Sequence, residues 1–437
     1  MDVEALKQKI LDLAIRGKLV PQDPNDEPAS VLIEKIKEEK AKLVKEGKIK
    51  ASKEESYIYK GSDNCYYEKI GNKTIDITDE IPFDIPESWI WTRLKTIGEI
   101  VGGGTPSTSV KEYWENGEIV WVTPAYMSSL DSIYISDSYR KITKLGLEKS
   151  SARLMPKGSI IMSSRAPIGY IAITDVEACT SQGCKSLIPY ITETNKYLLY
   201  VIKASINRII EASKGTTFDE ISGKKFGEIL IPLAPLNEQF KINNIIDNSY
   251  DSAKNIELEY ECIRNYVAIA KQKILDEVFG DNSSYKSYYE KTVKFSELFN
   301  TISTAGIEIK TRNVLPSGMI PVVSQSQHLI DGYVNFDERS IDNLPVVVFG
   351  DHTRKVKYID FKFYPGADGT KVLKAKKMDD KFFYYCTLYA SEAIDNNGYA
   401  RHFSKLKEVS INLPNLETQR RLANYLDTSF SILNSIL

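Results

Sequence analysis

Between Leu236 and Gly280, side chains recur at alternating steps of four and three: Ile242, Ile246, Ser249, Ala253, Ile256, Tyr260, Ile263, Val267, Ala270 and Ile274. Only Ser249 is polar, and no proline or glycine interrupts the run. This spacing predicts one continuous helix of roughly 40 residues, about 60 Å long, with a seam that another helix can cover. Upstream, Lys225-Phe226-Gly227-Glu228-Ile229-Leu230-Ile231-Pro232-Leu233 reads as a short β run before a proline-containing turn. The apolar period changes there from two to a helical one.

The same passage is written twice. Lys405-Leu406-Lys407-Glu408-Val409-Ser410-Ile411-Asn412-Leu413 repeats the strand 180 positions later, and Gln239, Ile242, Ile246 and Asp247 return as Gln419, Leu422, Leu426 and Asp427. Leu422, Leu426, Ser429, Leu433 and Ile436 then begin a second seam, and the sequence stops at Leu437. Its missing portion is found at the other end. Lys7-Gln8-Lys9-Ile10-Leu11-Asp12 is identical to Lys271-Gln272-Lys273-Ile274-Leu275-Asp276, an offset of 264. In the register of the central helix, the C-terminal copy ends at 257 and the N-terminal copy starts at 265, leaving 258–264, one heptad, unmatched. The expectation is an N-terminal helix that continues the C-terminal one, the two together imitating the central helix antiparallel to it. Long seams more often mean plain oligomerisation. Two seams in one chain, each following a globular copy, favour pairing within the chain.

Two globular segments alternate with the helices. Both carry a central β run ending in a polar, basic turn, Ser159-Ile160-Ile161-Met162-Ser163-Ser164-Arg165 and Val346-Val347-Val348-Phe349-Gly350-Asp351-His352-Thr353-Arg354. Arg165 and Arg354 are therefore expected at equivalent places. The predicted organisation is a helix and charged linker at 1–80, a globular domain at 81–235, the central helix at 236–280, a second globular domain at 281–413 and a short helix at 414–437. The fold class is α+β, two globular α/β domains separated by long antiparallel coiled-coil helices with a pseudo-twofold repeat. Within the linker, Ser30 is a plausible N-cap for a charged amphipathic helix reaching about Lys45, expected to be a solvated surface helix rather than a contact for DNA or a partner.

Composition narrows the function. Of 437 residues 42% are hydrophobic and 27% charged, as in ordinary soluble domains. No apolar stretch is long enough to span a membrane, and the first residues lack a signal-peptide core. The five cysteines form no CxxC pair, which reads as reduced thiols in a cytoplasmic protein. The formal net charge of −2, from 57 Lys+Arg and 59 Asp+Glu, argues against a free-standing, non-specific nucleic-acid binder. Catalytic signatures are missing. There is no Asn-Pro-Pro-Tyr or Asp-Pro-Pro-Tyr set for adenine methylation, and His328, His352 and His402 form no zinc pattern. Gly102-Gly103-Gly104-Thr105 starts no phosphate-binding loop and reads as a flexible turn or a loop lying close to DNA. Asp368 and Lys371 lack the partnered acid a nuclease would need.

Several short stretches, in order along the chain, carry a resemblance: Ile15-Arg16-Gly17-Lys18-Leu19-Val20-Pro21-Gln22, Ile85-Pro86-Glu87-Ser88-Trp89, Gly103-Gly104-Thr105-Pro106-Ser107, Thr180-Ser181-Gln182-Gly183-Cys184-Lys185-Ser186, Gly215-Thr216-Thr217, Ile231-Pro232-Leu233-Ala234-Pro235-Leu236-Asn237-Glu238-Gln239, Gly350-Asp351-His352-Thr353-Arg354 and Gly366-Ala367-Asp368-Gly369-Thr370-Lys371. With the repeat, the chain resembles the specificity subunits of type I restriction-modification systems. That resemblance implies that 81–235 and 281–413 are target-recognition domains, each reading half of a bipartite site in double-stranded DNA. It also implies a helical spacer that docks two modification (methyltransferase) subunits, with restriction (translocase-nuclease) subunits outside. No cofactor is then expected on this chain, and S-adenosylmethionine, ATP and Mg are expected on the partners. A recognition fragment of a single-chain methyltransferase-nuclease fusion is the alternative, and a coiled-coil adhesion protein is disfavoured by the reduced cysteines.

Reading DNA requires side chains on loops that reach the groove edges: Arg for guanine, Asn or Gln for adenine, and Ser, Thr, Lys and amides for phosphates. In the first domain the candidates are Thr105, Ser107, Ser163, Ser164, Arg165, Lys214, Thr216 and Thr217. In the second they are Ser324, Gln325, Ser326, Gln327, His352, Thr353, Arg354, Lys355 and Lys371. Each could instead be a solvated loop residue or a turn former. Tyr250 and Leu258, off the seam, are expected to be exposed and available for docking.

Overall fold

The heptad run folds as one helix, Leu236–Phe279, 44 residues long. In this computed structural model, residues 2–51, 55–165, 167–214, 220–367, 369–395 and 400–437 are described. The chain divides into two units, Met1–Glu257 and Leu258–Leu437, and the division falls inside that helix.

In the first unit five strands lie in the order Gly98–Gly102, Cys184–Pro189, Ile160–Ser163, Ile171–Thr174, Tyr134–Ile135. Ile160-Ile161-Met162 is buried on both faces, as a strand that is apolar at every position should be. Ile160 and Met162 enter the core beneath the helix Asn195–Ala204, while Ile161 faces a second cluster with Val101, Val122 and Met155. A smaller sheet sets Ile119–Val122 between a parallel neighbour, Ala178–Thr180, and an antiparallel one, Lys141–Ile142. Two more strands, Ile90–Arg93 and Leu230–Leu233, pair antiparallel where the long helix begins.

The second unit repeats this plan. Its sheet runs Phe299–Ile302, Thr370–Ala375, Val346–Gly350, Val356–Ile359. Val347 and Phe349 face the core under Asp380–Glu392, and Val346 and Val348 face the other cluster. Ile320–Val323 again has one parallel and one antiparallel neighbour, and Tyr289–Lys294 pairs with Ser410–Pro414 as Ile90–Arg93 pairs with Leu230–Leu233.

Helix contacts repeat too. Tyr200 donates to Asp247 at 2.5 Å and Lys196 pairs with the same carboxylate; Tyr385 donates to Asp427 at 2.6 Å and Lys381 lies 3.5 Å away. Gln239 and Gln419 each cap the preceding strand, donating to Ala234 O and Pro414 O at 2.9 Å. Such pairing of long polar side chains sets the rotation of each helix about its own axis, which apolar contacts alone leave loose.

The N-terminal helix, Val3–Ile15, takes in the first unit the part that the last third of the long helix takes in the second. Leu11, Ala14 and Ile15 enter one core just as their counterparts Leu275, Val278 and Phe279 enter the other. Lys7 lies over the Tyr250 ring at 5.9 Å, and Lys271 over Phe430 at 5.6 Å. Tyr250 is therefore not an exposed docking residue; it packs edge-on against Tyr200 and its hydroxyl is buried. Leu258 is 60% exposed. Seam positions Ile256, Tyr260 and Ile263 are also exposed, in the stretch bordering and entering the unmatched heptad.

Residues 17–88 have no counterpart in the second unit. Their helix, Ala29–Lys45, starts one residue before the expected cap: Pro28 is the N-cap, and Ser30 lies inside. Ala29 N donates to Ser88 O at 2.8 Å, so a backbone carbonyl satisfies one of the amides left free at the helix start. The helix is not merely solvated, since Leu32 and Ile36 join the first core. An unanticipated antiparallel meander, Ser56–Lys60, Tyr66–Ile70 and Lys73–Asp76, follows. It helps cover Trp91 and Leu230. The corresponding positions of the second unit are Thr292 and Ser410, polar residues that need no cover.

Gln22 ties the linker to the long helix. It donates to Glu238 at 2.6 Å, and Trp89 Nε1 donates to the other carboxylate oxygen at 2.8 Å. Burial raises the Glu238 pKa above the usual carboxylate value, outweighing these two bonds. A raised folded-state pKa contributes stability that is full below the unfolded pKa and is lost as pH rises through the folded one. Thermal melting should therefore show a loss of first-unit stability across that window. The loss should be absent in Glu238→Gln, and identical pH profiles for both proteins would refute it.

Candidate nucleic-acid interface

Antiparallel pairing brings the C-terminal ends of Gly98–Gly102 and Ile160–Ser163 beside the N-terminal end of Cys184–Pro189, so three connections leave one edge of the first sheet together. Thr105 and Ser107 are exposed on the first connection. It is held rigidly: Gly104 N donates to Thr180 O, and Trp121 Nε1 donates to Gly104 O at 2.9 Å. A Cβ on Gly103 would stand 1.9 Å from Ser181 O, and one on Gly104 2.2 Å from Ala152 N. These glycines serve close backbone packing, not the flexible turn expected.

Ser163 and Ser164 are fully buried. The Ser163 hydroxyl donates to Pro167 O and accepts from Gly169 N and Tyr170 N, closing the hairpin to the next strand. The Ser164 hydroxyl accepts from Lys185 at 3.3 Å. These two candidates shape the edge and do not reach outward. Arg165 is partly exposed, 3.7 Å from Glu220, which also holds Lys185 at 3.2 Å. Lys214 is exposed at the end of the helix Ile206–Ser213. Thr216 and Thr217 lie outside the described residues.

In the second unit the connection after Ile320–Val323 meets the one after Val346–Gly350. His352 N donates to the Gln325 side chain at 3.0 Å, and the Thr353 hydroxyl to Gln325 O at 2.7 Å. Ser324 N and the Ser326 hydroxyl both bind Asp331, and the buried Lys357 donates to His328 O. Burial lowers the Lys357 pKa. Gln327, Thr353 and Lys355 remain exposed. Beside Ser324 and Ser326 a cavity of about 510 Å³ is lined by Ile309, Leu315, Val322 and Asp331.

Strand register corrects one equivalence. Cys184 faces Ser163 in the first sheet, and Thr370 faces Gly350 in the second. Counting onward, Arg165 corresponds to His352, not Arg354. Arg354 sits at φ +56° and donates to Ser391 O and Ile394 O at 3.1 and 2.8 Å, binding carbonyls at the end of the helix Asp380–Glu392. Its guanidinium is thus committed to backbone carbonyls within the fold.

Among the described residues no group of three metal-ligating side chains occurs, and no helix is long and apolar enough to cross a membrane. The Cys184 thiol, beside the edge, is pushed up to about 12 by burial and is no nucleophile at neutral pH. Both edges offer hydrogen-bond donors, acceptors and cations, the equipment of a binding surface.

The family described as Type I restriction modification DNA specificity domain matches residues 86–260 and 289–436, one match for each repeat. The chain belongs to this family. It is 38% identical over 181 residues to the MjaIX specificity subunit of Methanocaldococcus jannaschii, covering 41% of this chain and 42% of that protein. It is 32% identical over 261 residues to the EcoAI specificity subunit of Escherichia coli, covering 56% of this chain and 39% of the relative. Those matches thus span about two fifths of either relative. A solved chain, from a study of complex assembly and conformational transition of the type I R-M system, shares the fold with a TM-score of 0.58 at 18% identity, covering 81% of this chain and 93% of that one.

Within this specificity family member, the shared machinery of the two edges is clearest in Lys185 and Lys371. They occupy the same register position, each beside a carboxylate: Glu220 at 3.2 Å and Asp351 at 4.0 Å. Lys185 was absent from the candidates, although Gly183-Cys184-Lys185 and Gly369-Thr370-Lys371 share a readable Gly-x-Lys spacing. Asp351 left no such signal. It is buried, and one of its oxygens accepts from His402 N and Phe403 N at 2.9 and 2.8 Å, bonds to residues some fifty positions away.

Proposed function

We propose that this chain is the DNA-recognition subunit of a type I restriction-modification complex, each unit reading one half of a bipartite site. It carries no catalysis of its own. Two modification subunits dock on its helices, restriction subunits join outside them, and S-adenosylmethionine, ATP and Mg act on those partners in the cytoplasm. The observation that carries this reading is the duplicated sheet edge: one strand register used twice, bearing Thr105, Ser107 and Arg165 in one unit and Gln325, Gln327, Thr353, Lys355 and Lys371 in the other, with Lys214 exposed at the end of the helix Ile206–Ser213. A common frame with different exposed residues suits two specificities. The net charge of −2 supports weak DNA binding by the lone chain, the partners supplying much of the phosphate grip.

Gln327→Ala combined with Lys355→Ala should relax one half-site and leave the other untouched. The loss of a base contact is worth about 1–3 kcal/mol of discrimination, and that of a phosphate contact lowers the salt slope by about one. Salt-titrated binding to a randomised duplex pool, with the modification subunits present, measures both. Unchanged preference at both halves would remove these residues from the interface.

A further inference from the structure

Arg140 lies on none of the three connections at the first sheet edge, yet it is built into the same surface. Its guanidinium stacks over the Trp114 ring at 3.8 Å and lies 5.4 Å from that of Trp121. The two indoles meet edge to face, their centroids 5.0 Å apart. Each indole N–H is spent on the Thr105–Ser107 connection: Trp114 donates to Ser107 O at 3.0 Å and Trp121 to Gly104 O at 2.9 Å. Arg140's backbone is also held, its carbonyl accepting from Trp121 N at 3.2 Å.

We infer that Arg140 is a guanine-reading residue of the first unit, and this rests on the DNA-reading function proposed above. Stacking on an aromatic face fixes the plane of a guanidinium while leaving its in-plane N–H groups free. Those groups match the O6 and N7 acceptors of guanine in the major groove, where paired hydrogen bonds need a fork of fixed orientation. Nearby acids do not consume the fork. Among the described residues Arg140 forms no ion pair, while its neighbour Lys141 is paired with Asp137 at 3.0 Å. The side chain is exposed, unlike Arg354, whose guanidinium is committed to carbonyls. Because both indoles are bonded to the loop carrying Thr105 and Ser107, the arginine and that loop hold a fixed relation. A reading residue needs that preorganisation.

The alternative role is a lid over the tryptophan pair, and the test separates the two. The full-length chain with its modification subunits is offered a pool of randomised duplexes as wild type, R140Q and R140K, and enriched sequences are compared. Melting followed by tryptophan fluorescence reports the fold. The inference expects both variants to lose a guanine preference at a single position of one half-site, with specific binding weakened about 5- to 150-fold and melting preserved in R140K. Lysine should not rescue, because a point charge lacks the fork. Uniform weakening with an unchanged motif and rescue by lysine would mean a phosphate contact, and would overturn it. An unchanged motif at unchanged affinity would leave only the lid, and would overturn it also. A wild-type complex that enriches no sequence at all defeats both this inference and the DNA-reading function.

Discussion

Leu11→Ala should destabilise the first unit by about 2–5 kcal/mol, the cost of emptying a leucine-sized space in a packed core. Leu11 is 0% exposed and shares its cluster with Ile242 and Ile246 of the long helix and with Leu198 and Ile202 of Asn195–Ala204. A helix of 13 residues has little stability of its own in water, so Val3–Ile15 persists through this face. The chain supplies its own reporter: all four tryptophans, Trp89, Trp91, Trp114 and Trp121, belong to the first unit. In urea, L11A should move the fluorescence transition strongly. Leu275→Ala, the counterpart in the second core, should act mainly on the far-ultraviolet circular dichroism. A fluorescence midpoint unmoved by L11A would show that the N-terminal helix is dispensable.

Asp351→Ala should cost the second unit about 1–3 kcal/mol and abolish recognition by that half alone. The carboxylate oxygen that accepts from His402 N and Phe403 N is buried; His402 N keeps a second acceptor in Asp351 O at 2.9 Å, so loss of the carboxylate strands the Phe403 amide, at about 1–3 kcal/mol. The same carboxylate lies 4.0 Å from Lys371 on the sheet edge, and the substitution removes this ion pair as well. Asparagine keeps one oxygen there and should recover most of the stability. Motif enrichment with D351A should show one degenerate half-site beside an intact one. Two intact half-sites would separate this turn from recognition.

The candidate site was only partly legible, and Ser163, Ser164 and Arg354 show why. A polar residue at the end of an apolar strand can face solvent or close a hairpin, and local pattern is the same in both cases. Ser163 binds residues four to seven positions on, but Arg354 binds carbonyls 37 and 40 positions away, beyond any local signal. Tyr250 misled in the same manner: off the seam in sequence, it meets Tyr200 and Lys7 from two other helices. The meander Ser56–Asp76 was not anticipated, because its strands are short and carry little apolar alternation.

The repeat was legible because it is covalent. Two copies at one offset must fold by the same local rules, so the strands, the turns, the helix starts and the α+β class followed from pattern alone. The identity of Lys7–Asp12 with Lys271–Asp276 likewise announced that two helices would meet similar cores, and Leu11 and Leu275 do. What tertiary structure alone decided is which polar groups remain free at each sheet edge. That depends on partners brought from far along the chain, as Asp351 meets His402 and Arg140 meets Trp114 and Trp121. Hydrophobic periodicity is a property of neighbours in sequence, whereas the satisfaction of buried polar groups is a property of neighbours in space.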